Sequence, residues 1–125
     1  MRYNTKMECA KYLNSKYGAN TFTNILKQKK TESYDEIVLK VIRKEYDIFF
    51  ENMYNNMTLA KEDKKIQNYI KEFDILIDLV YSNSREVLKM YKNIFKTEKA
   101  YITKLGNYDK NLADYIVDSI DIYLK

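Results

Sequence analysis

The run from Ser33 to Met57 constrains the fold more than any other stretch, because it is the most apolar sustained run in the sequence. Folded as an α-helix with about 100° of rotation per residue, it places apolar side chains over more than half of its circumference. Ser33 and Glu36 have the spacing of a capping box, which predicts the start of this helix. So wide an apolar face requires neighbours on several sides. The sequence therefore predicts a central, most buried helix over residues 33–57.

Turn-forming residues are scarce, which limits the rest of the fold to few and long helices. The 125 residues include no proline and only two glycines, Gly18 and Gly106. Apolar periodicity and capping residues predict five further helices, at about Thr5–Tyr17, Thr21–Lys30, Thr58–Tyr81, Arg85–Leu105 and Tyr108–Leu124. We therefore expect an all-α protein, a compact helical bundle of about four long helices plus two short N-terminal helices. One domain is expected over residues 1–125, with a basic short-helix segment at 1–30 and the long-helix bundle at 33–124.

Positive charge is concentrated at the start of the chain. Residues 1–30 contain seven basic residues and one acidic residue, a net charge of +6, whereas the whole chain carries +4. Such asymmetry is found on surfaces that bind nucleic acids or acidic partners, and also at solvated chain ends. The second short helix carries Lys27, Lys29 and Lys30, which are candidates for phosphate contacts. A helix-turn-helix interpretation is weak, because the turn between the two short helices is long and only Asn24 and Gln28 resemble base readers.

A basic strip on the predicted Arg85–Leu105 helix is the best candidate binding surface in the sequence. It consists of Arg85, Lys89, Lys92, Lys96 and Lys99. Lysines suit phosphate contacts that ignore base sequence, and they also suit an acidic protein surface. The alternative is that the strip is a solvated helix face with no binding function. A third interpretation is a homodimer in which the strip meets an acidic strip, Asp114, Asp118 and Asp121, of a second copy.

Two apolar residues fall outside the apolar stripe of the predicted Thr58–Tyr81 helix. Ile75 and Leu79 lie one turn apart among polar neighbours. They are expected to pack into a groove against one of the short helices. The alternative is a small hydrophobic interface for a partner or a second copy.

Residue types that carry common enzyme chemistry are missing. The chain has no histidine, which excludes Ser-His and Cys-His dyads and metal sites that need histidine. Without glycine-rich runs there is no P-loop or dinucleotide-binding fingerprint. Cys9, the single cysteine, lies on the apolar stripe of its helix and is expected to be a small buried hydrophobe. We therefore predict no enzyme activity, no cofactor and no metal.

Two glutamates break the apolar pattern. Glu45 lies inside the apolar arc of the central helix, and Glu98 lies likewise among apolar residues of its own helix. A buried carboxylate needs a partner or a raised pKa. One interpretation is a facing pair for acid–base chemistry or a hard metal. The preferred interpretation is structural, with each glutamate meeting a lysine, an arginine or a tyrosine hydroxyl. A third interpretation is that the helix face is open and the glutamate contacts a partner.

The sequence thus predicts a non-catalytic macromolecule-binding protein that docks on a partner and modulates or inhibits it. Codons for its dominant residues are AT-rich, which suggests a low-GC source. A phage- or mobile-element-encoded inhibitor of a host defence complex would fit the size and the missing chemistry. The alternative is a nucleic-acid-binding regulator that uses the basic N-terminal segment or the Arg85–Lys99 strip. One unpaired cysteine, no secretory signal and no apolar run near the roughly 20 residues of a membrane span predict a location in the bacterial cytoplasm, or the host cytoplasm if viral.

Overall fold

The computed structural model describes residues 2–125, and these form seven α-helices and no strand. The helices are α1 (Lys6–Tyr17), α2 (Thr21–Thr31), α3 (Glu36–Asn55), α4 (Lys64–Val80), α5 (Ser84–Thr97), α6 (Lys99–Tyr108) and α7 (Leu112–Leu124). The all-α prediction is confirmed, since 78% of the chain is helical. The predicted set of six helices is wrong by one, because the helix predicted at Arg85–Leu105 is divided into two.

The two short N-terminal helices begin and end where the sequence predicts. The Thr5 hydroxyl oxygen accepts a hydrogen bond from the Glu8 amide at 3.1 Å, and the Glu8 carboxylate accepts one from the Asn4 amide at 2.9 Å. The first bond satisfies one of the donors that a helix start leaves free, and the second ties the residue before the cap to the first turn. Gly18 ends α1 with φ of +121°, a backbone conformation that residues other than glycine rarely adopt.

Asp35, and not Ser33, caps α3. Its carboxylate accepts a hydrogen bond from the Val38 amide at 2.9 Å. Gln28 of α2 holds Asp35 in place, since its amide group donates to the Asp35 carboxylate at 3.0 Å and accepts from the Asp35 backbone amide at 2.7 Å. Tyr34 donates a hydrogen bond to the Val80 carbonyl at the end of α4. Contacts distant in sequence therefore move the cap two residues beyond the predicted position.

The start of α4 also differs from the prediction, because Asp63 caps it and Thr58 does not. The Asp63 carboxylate accepts a hydrogen bond from the Lys65 amide at 2.8 Å. The Tyr115 hydroxyl of α7 donates to the carbonyl oxygens of Asn56 and Leu59, at 3.2 and 2.7 Å. These bonds satisfy backbone groups of the connection between α3 and α4, so it holds its shape without being helical.

Glu98 divides the helix that was predicted to be continuous. Its backbone is extended, with φ −79° and ψ 121°, and its side chain is exposed. The Thr97 hydroxyl donates to the Asn93 carbonyl at 2.8 Å, a bond within the helix that is known to bend helices. The change of direction brings the ring of Tyr101 to 5.1 Å from Phe95 and 6.2 Å from Phe50. Aromatic packing therefore outweighs helix continuity at this point.

The end of α6 differs as well, since the helix passes through Gly106 and Asn107 and reaches Tyr108. The last helix then begins at Leu112 rather than Tyr108. The Asp109 carboxylate accepts a hydrogen bond from the Asn111 amide at 2.7 Å within the short connection. Gly106 is thus a helical residue and not a helix terminator.

The most central helix is α4, and not the predicted α3. It packs against α1, α2, α3, α5 and α7. Eight of its 17 residues are buried, compared with seven of the 20 residues of α3. The cause is a second buried face on α4, formed by Glu72, Ile75 and Leu79 at helical spacing, which the N-terminal helices cover.

Aromatic rings fill the space between α3, α4 and α5. Phe49 and Phe73 stack with centroids 4.1 Å apart, and Tyr91 and Phe95 stack at 5.1 Å. The hydroxyls of Tyr46 and Tyr91 are 2.9 Å apart and hydrogen-bond each other. This pairing allows two tyrosines to occupy the core without leaving either hydroxyl alone.

Replacing each of the two glycines by alanine should change the stability of the protein in opposite directions. Gly106 is helical, and a Cβ built on it meets nothing within 4 Å, whereas Gly18 has φ of +121°. Gly106→Ala is expected to raise the free energy of unfolding by about 0.5–1 kcal/mol through helix propensity. Gly18→Ala is expected to lower it by more than about 1 kcal/mol because of backbone strain. Urea unfolding of both variants measures these changes, and changes of the same sign would contradict the described backbone.

Candidate functional site

Glu45 is completely buried, and three side chains of the N-terminal region satisfy its carboxylate. Arg2 Nη1 lies 2.7 Å from Oε1, and Lys16 Nζ lies 3.0 Å from Oε2. The Tyr17 hydroxyl donates to Oε2 at 2.5 Å. The structural interpretation of Glu45 is therefore confirmed, with an arginine, a lysine and a tyrosine together meeting the buried charge.

Glu72 of α4 is a second buried carboxylate, and Arg2 binds it too. The Arg2 backbone amide donates to Oε2 at 2.8 Å, and Arg2 Nε lies 3.2 Å from Oε1. Arg2, Lys16, Glu45 and Glu72, called here the Arg2 cluster, contain two cations and two carboxylates. The charges balance, which is the condition under which buried ions are tolerated.

Tyrosines surround the Arg2 cluster and order its cations. The Tyr12 hydroxyl accepts hydrogen bonds from Arg2 Nη1 at 3.2 Å and from Lys16 Nζ at 3.0 Å. The Arg2 guanidinium lies 5.3 Å from the ring centroid of Tyr3 and 5.2 Å from that of Tyr12, within reach of cation–π attraction. The capping box of α1 fixes the helix, so that Tyr12 and Lys16, one turn apart, both face α3.

Burial and charge shift the acid–base properties around this cluster. Burial alone lowers the pKa of the Arg2 guanidinium, but Tyr3, Tyr12 and the two carboxylates raise it overall. Burial and the hydrogen bond to Glu45 raise the pKa of Tyr17 to about 12. Burial also raises the pKa of the Cys9 thiol to about 12. These groups keep their ordinary protonation states at neutral pH, which is the behaviour of a structural cluster.

The expected burial of Glu98 is wrong, so the alternative of a facing pair with Glu45 has no support either. Glu98 lies at the break between α5 and α6 and is exposed. The sequence reasoning instead missed Glu72 and Arg2. A signal for Glu72 existed, since Glu72, Ile75 and Leu79 share one face of α4 at spacings of three and four residues. Nothing in the local pattern indicates that Arg2 reaches two helices 43 and 70 residues away.

In the Arg85–Lys99 strip, three of the five residues pair with carboxylates of the same chain, and Arg85 and Lys99 have no carboxylate partner within residues 2–125. Lys96 Nζ lies 3.1 Å from an Asp114 carboxylate oxygen, and Lys92 pairs with Asp121, both in α7. Lys89 pairs with Glu86 at 3.2 Å, and Arg85 donates to the Leu124 carbonyl. Lys99 belongs to α6, beyond the break. Two aspartates of the acidic strip of α7 thus meet the basic strip within the same molecule, rather than in a second copy.

Leu79 lies beneath the N-terminal helices and is only 3% exposed, and Ile75 is partly buried against the core. Leu79 forms part of the floor of a groove whose other apolar residues come from α1 and α2. This placement agrees with the packing interpretation of the two residues. Little of Leu79 is left for an outside partner.

The lysines of α2 have a different environment from those of the strip. Lys27 and Lys30 are exposed and make no ion pair with a described residue, while Lys29 Nζ donates to the Asp78 carbonyl at 2.8 Å. Arg2, Lys6 and Lys16 pair with carboxylates of α3 and α4, so they account for three of the seven basic residues in 1–30. Lys11, Lys27, Lys29 and Lys30 keep their charge free of carboxylate partners within residues 2–125. The N-terminal excess of positive charge therefore persists at the surface of α1 and α2.

Metal binding, membrane spanning and similarity to known proteins are three further properties that bear on function. Within residues 2–125, no group of three or more His, Cys, Asp and Glu residues is placed to hold a metal ion. None of the described helices combines the length and the apolar character needed to span a bilayer. Comparisons with protein families, with curated proteins and with solved structures found no match to this chain.

Removing Arg2 tests the cluster directly. Arg2→Ala leaves two buried carboxylates with one cation, so it is expected to lower the free energy of unfolding by about 3 kcal/mol or more. Arg85→Ala is the matched control, because Arg85 is exposed and makes one bond to a backbone carbonyl, and it should change stability by about 0.5 kcal/mol or less. Urea unfolding of both variants gives the comparison. Equal effects would show that Arg2 does not hold the buried charges.

Alkaline pH provides a second test. The pKa of the Cys9 thiol rises from 9.0 to about 12, so the unfolded chain loses this proton at a lower pH than the folded chain does. The stabilisation is therefore complete below pH 9 and is lost as the pH rises from there toward 12, at a rate that approaches about 1.4 kcal/mol per pH unit. Cys9→Ala removes this contribution, so its stability relative to the wild type should improve over that pH range. A constant difference would contradict the burial of the thiol.

Proposed function

We propose that this chain is a non-catalytic binding protein that docks on a macromolecular partner through α1 and α2 and modulates or inhibits it. One observation carries the proposal: Lys11, Lys27, Lys29 and Lys30 have no carboxylate partner in the described residues, whereas most of the other basic candidates do. Uncompensated charge of one sign attracts a partner of opposite charge and speeds the encounter. We call the side of α1 and α2 that bears these lysines, Met7 and Leu26 the α1–α2 face.

Apolar exposure on the same face favours a protein partner. Met7 is 68% exposed and Leu26 is 39% exposed, so neither is used in the core. By helical spacing, Met7 lies one turn from Lys11, and Leu26 lies one turn from Lys30. Protein interfaces combine an apolar centre with a polar rim, and complementary charges there supply orientation and specificity.

A nucleic-acid-binding regulator is the second candidate, and the three lysines of α2 favour it. Lysines support phosphate contacts whose strength falls steeply with salt. However, Gln28, one of two base-reading candidates, is engaged with Asp35 at 2.7 and 3.0 Å, which leaves Asn24 alone on that helix. Any nucleic-acid binding through α2 is therefore expected to depend on phosphate rather than on base sequence.

The Arg85–Lys99 strip supports a docking role less well. Its central lysines form ion pairs with α7, so a partner would have to replace Asp114 and Asp121 before it could use them. Reversing Lys92 and Lys96 would also place carboxylates opposite these aspartates. The strip therefore contributes to the packing of α5 on α7, and we place the docking surface on α1 and α2.

The identity of the partner is a further part of the proposal. The small size, the dominance of residues whose codons are AT-rich and the absence of histidine are the features that suggest a phage- or mobile-element-encoded inhibitor of a host defence complex in the cytoplasm. An inhibitor of this kind needs only a stable scaffold and a docking face. The bundle and the α1–α2 face would supply these two parts.

Charge reversal on α2 tests the docking face. K27E/K30E is expected to reduce recovery of bound partners at least tenfold when the tagged protein is mixed with lysate of a low-GC bacterium and recovered proteins are quantified. K64E/K65E is the matched control, because both lysines are exposed, unpaired in the described chain and about 20 Å along α4 from Asp78. Both variants should melt at the wild-type temperature.

The outcomes separate the two candidates. A partner lost with K27E/K30E and kept with K64E/K65E supports the face. Equal recovery with both variants would contradict it. If nuclease treatment removes the captured material, and a purified DNA duplex binds with a steep salt dependence, the nucleic-acid-binding function replaces the protein-binding one.

A further inference from the structure

A groove between α1 and α2 runs over the buried Leu79 of α4. Its volume is about 280 Å³. Its apolar lining comes from Met7, Ala10, Phe22, Leu26 and Leu79. Ala10 and Leu79 form a closed floor, at 5% and 3% exposure, while Met7 and Leu26 stand at the edges with much of their surface in solvent. The groove therefore has a fixed base and adaptable walls, and methionine is the residue best suited to reshape around an apolar partner.

The rim of this groove is positive. Lys6 pairs with the Asp78 carboxylate at 2.9 Å, so the only acid lining the groove is already neutralised. Lys29 also lines it and donates to the Asp78 carbonyl, which leaves its charge uncompensated. Lys11 and Lys30 follow Met7 and Leu26 by one helical turn on the same sides of their helices. An occupant that carries acidic side chains is thus favoured, and a basic one is repelled.

The groove is too small and open for a typical small-molecule site. Pockets for such ligands usually measure about 300–1,000 Å³ and enclose most of the ligand. A groove bounded by two helices is instead suited to the side chains along one stripe of a third helix, as in helix-in-groove recognition.

A second groove of about 320 Å³, between α6 and α7, provides a comparison. It exposes Ile102, but its charged residues are two lysines and two aspartates, and Lys96 with Asp114 form an ion pair. Its charges therefore balance, and nothing selects the charge of an occupant. The α1–α2 groove differs because its apolar floor and its net positive rim coincide.

We propose that the α1–α2 groove binds an amphipathic helix of a partner protein, with apolar residues along one stripe and acidic residues beside it. The apolar stripe enters between Met7 and Leu26, and the carboxylates meet Lys11, Lys29 and Lys30. This rests on the proposed docking function and names the class of partner. A second copy of the chain is a poorer occupant, because each copy carries a net charge of +4 and would bring like charges together at this rim.

Yeast display provides a test that does not assume the answer. A library of 20-residue amphipathic helices varies the stripe among Leu, Ile, Met and Phe, and the flanking positions among Glu, Gln and Lys. Selection against the folded wild-type protein should enrich Glu at the flanks. The enriched helices should bind M7E and L26E at least tenfold more weakly than the wild type. M90E is the matched control, because Met90 is 54% exposed on α5 outside the groove, and it should bind as the wild type does.

The other outcomes overturn the groove proposal. They are no enrichment at all, enrichment of Lys at the flanks, and equal binding to M7E, L26E and M90E.

Two further measurements on the wild type and M7E identify competing occupants. Binding of a DNA duplex that K27E/K30E abolishes and M7E leaves unchanged assigns the face to nucleic acid. Dimerisation of the wild type that M7E abolishes, seen by sedimentation, assigns it to a second copy. If selection fails but K27E/K30E still loses its captured partner, docking through α1 and α2 stands without the helix-binding groove.

Discussion

The fold of this protein depends on neutralising two buried carboxylates, Glu45 and Glu72, with cations that come from the start of the chain. Neither α3 nor α4 provides a cation for these carboxylates. The packing of the two helices therefore depends on the ion pairs that Arg2 and Lys16 form with them. Removing a carboxylate from water costs several kcal/mol unless opposite charge and hydrogen bonds replace the water. The N-terminal segment is therefore required for the core, although it is among the most charged parts of the sequence.

This requirement also shapes the candidate docking face. Arg2 and Lys16 hold one side of α1 against α3 and α4, and Cys9 and Leu13 are completely buried in the core. With α1 fixed in this way, the opposite side of the helix presents Met7 next to α2. The groove over Leu79 exists because α1 and α2 both rest on α4. Structural charge pairing on one side of α1 thus positions an exposed apolar and basic surface on the other.

Much of the fold follows from local sequence signals, and the errors share one physical cause. The capping box at Thr5, the stop at Gly18 and the bounds of α2 are local features, and the structure confirms them. The starts of α3 and α4 and the break at Glu98 are accompanied by contacts from distant residues: Tyr34 with Val80, Tyr115 with the connection before α4, and Tyr101 with Phe50. The Arg2 cluster is of the same kind. Periodicity indicated that Glu45 is buried, but the source of its partners is a property of the tertiary structure.

Internal pairing also decides which positive charge in this chain is available to a partner. The sequence presents two basic regions of similar appearance, the N-terminal segment and the Arg85–Lys99 strip. Aspartates of α7 neutralise two lysines in the middle of the strip, whereas in the N-terminal segment Arg2, Lys6 and Lys16 pair with carboxylates of α3 and α4 and the other four lysines make no such pair within residues 2–125. The lysines left on α1 and α2 have no carboxylate partner within residues 2–125, a property they share with other exposed lysines such as Lys64 and Lys65. Because exposed ion pairs contribute little to stability, selection for folding alone does not require these lysines. Their position beside exposed Met7 and Leu26 is the reason why we propose an acidic partner for this face.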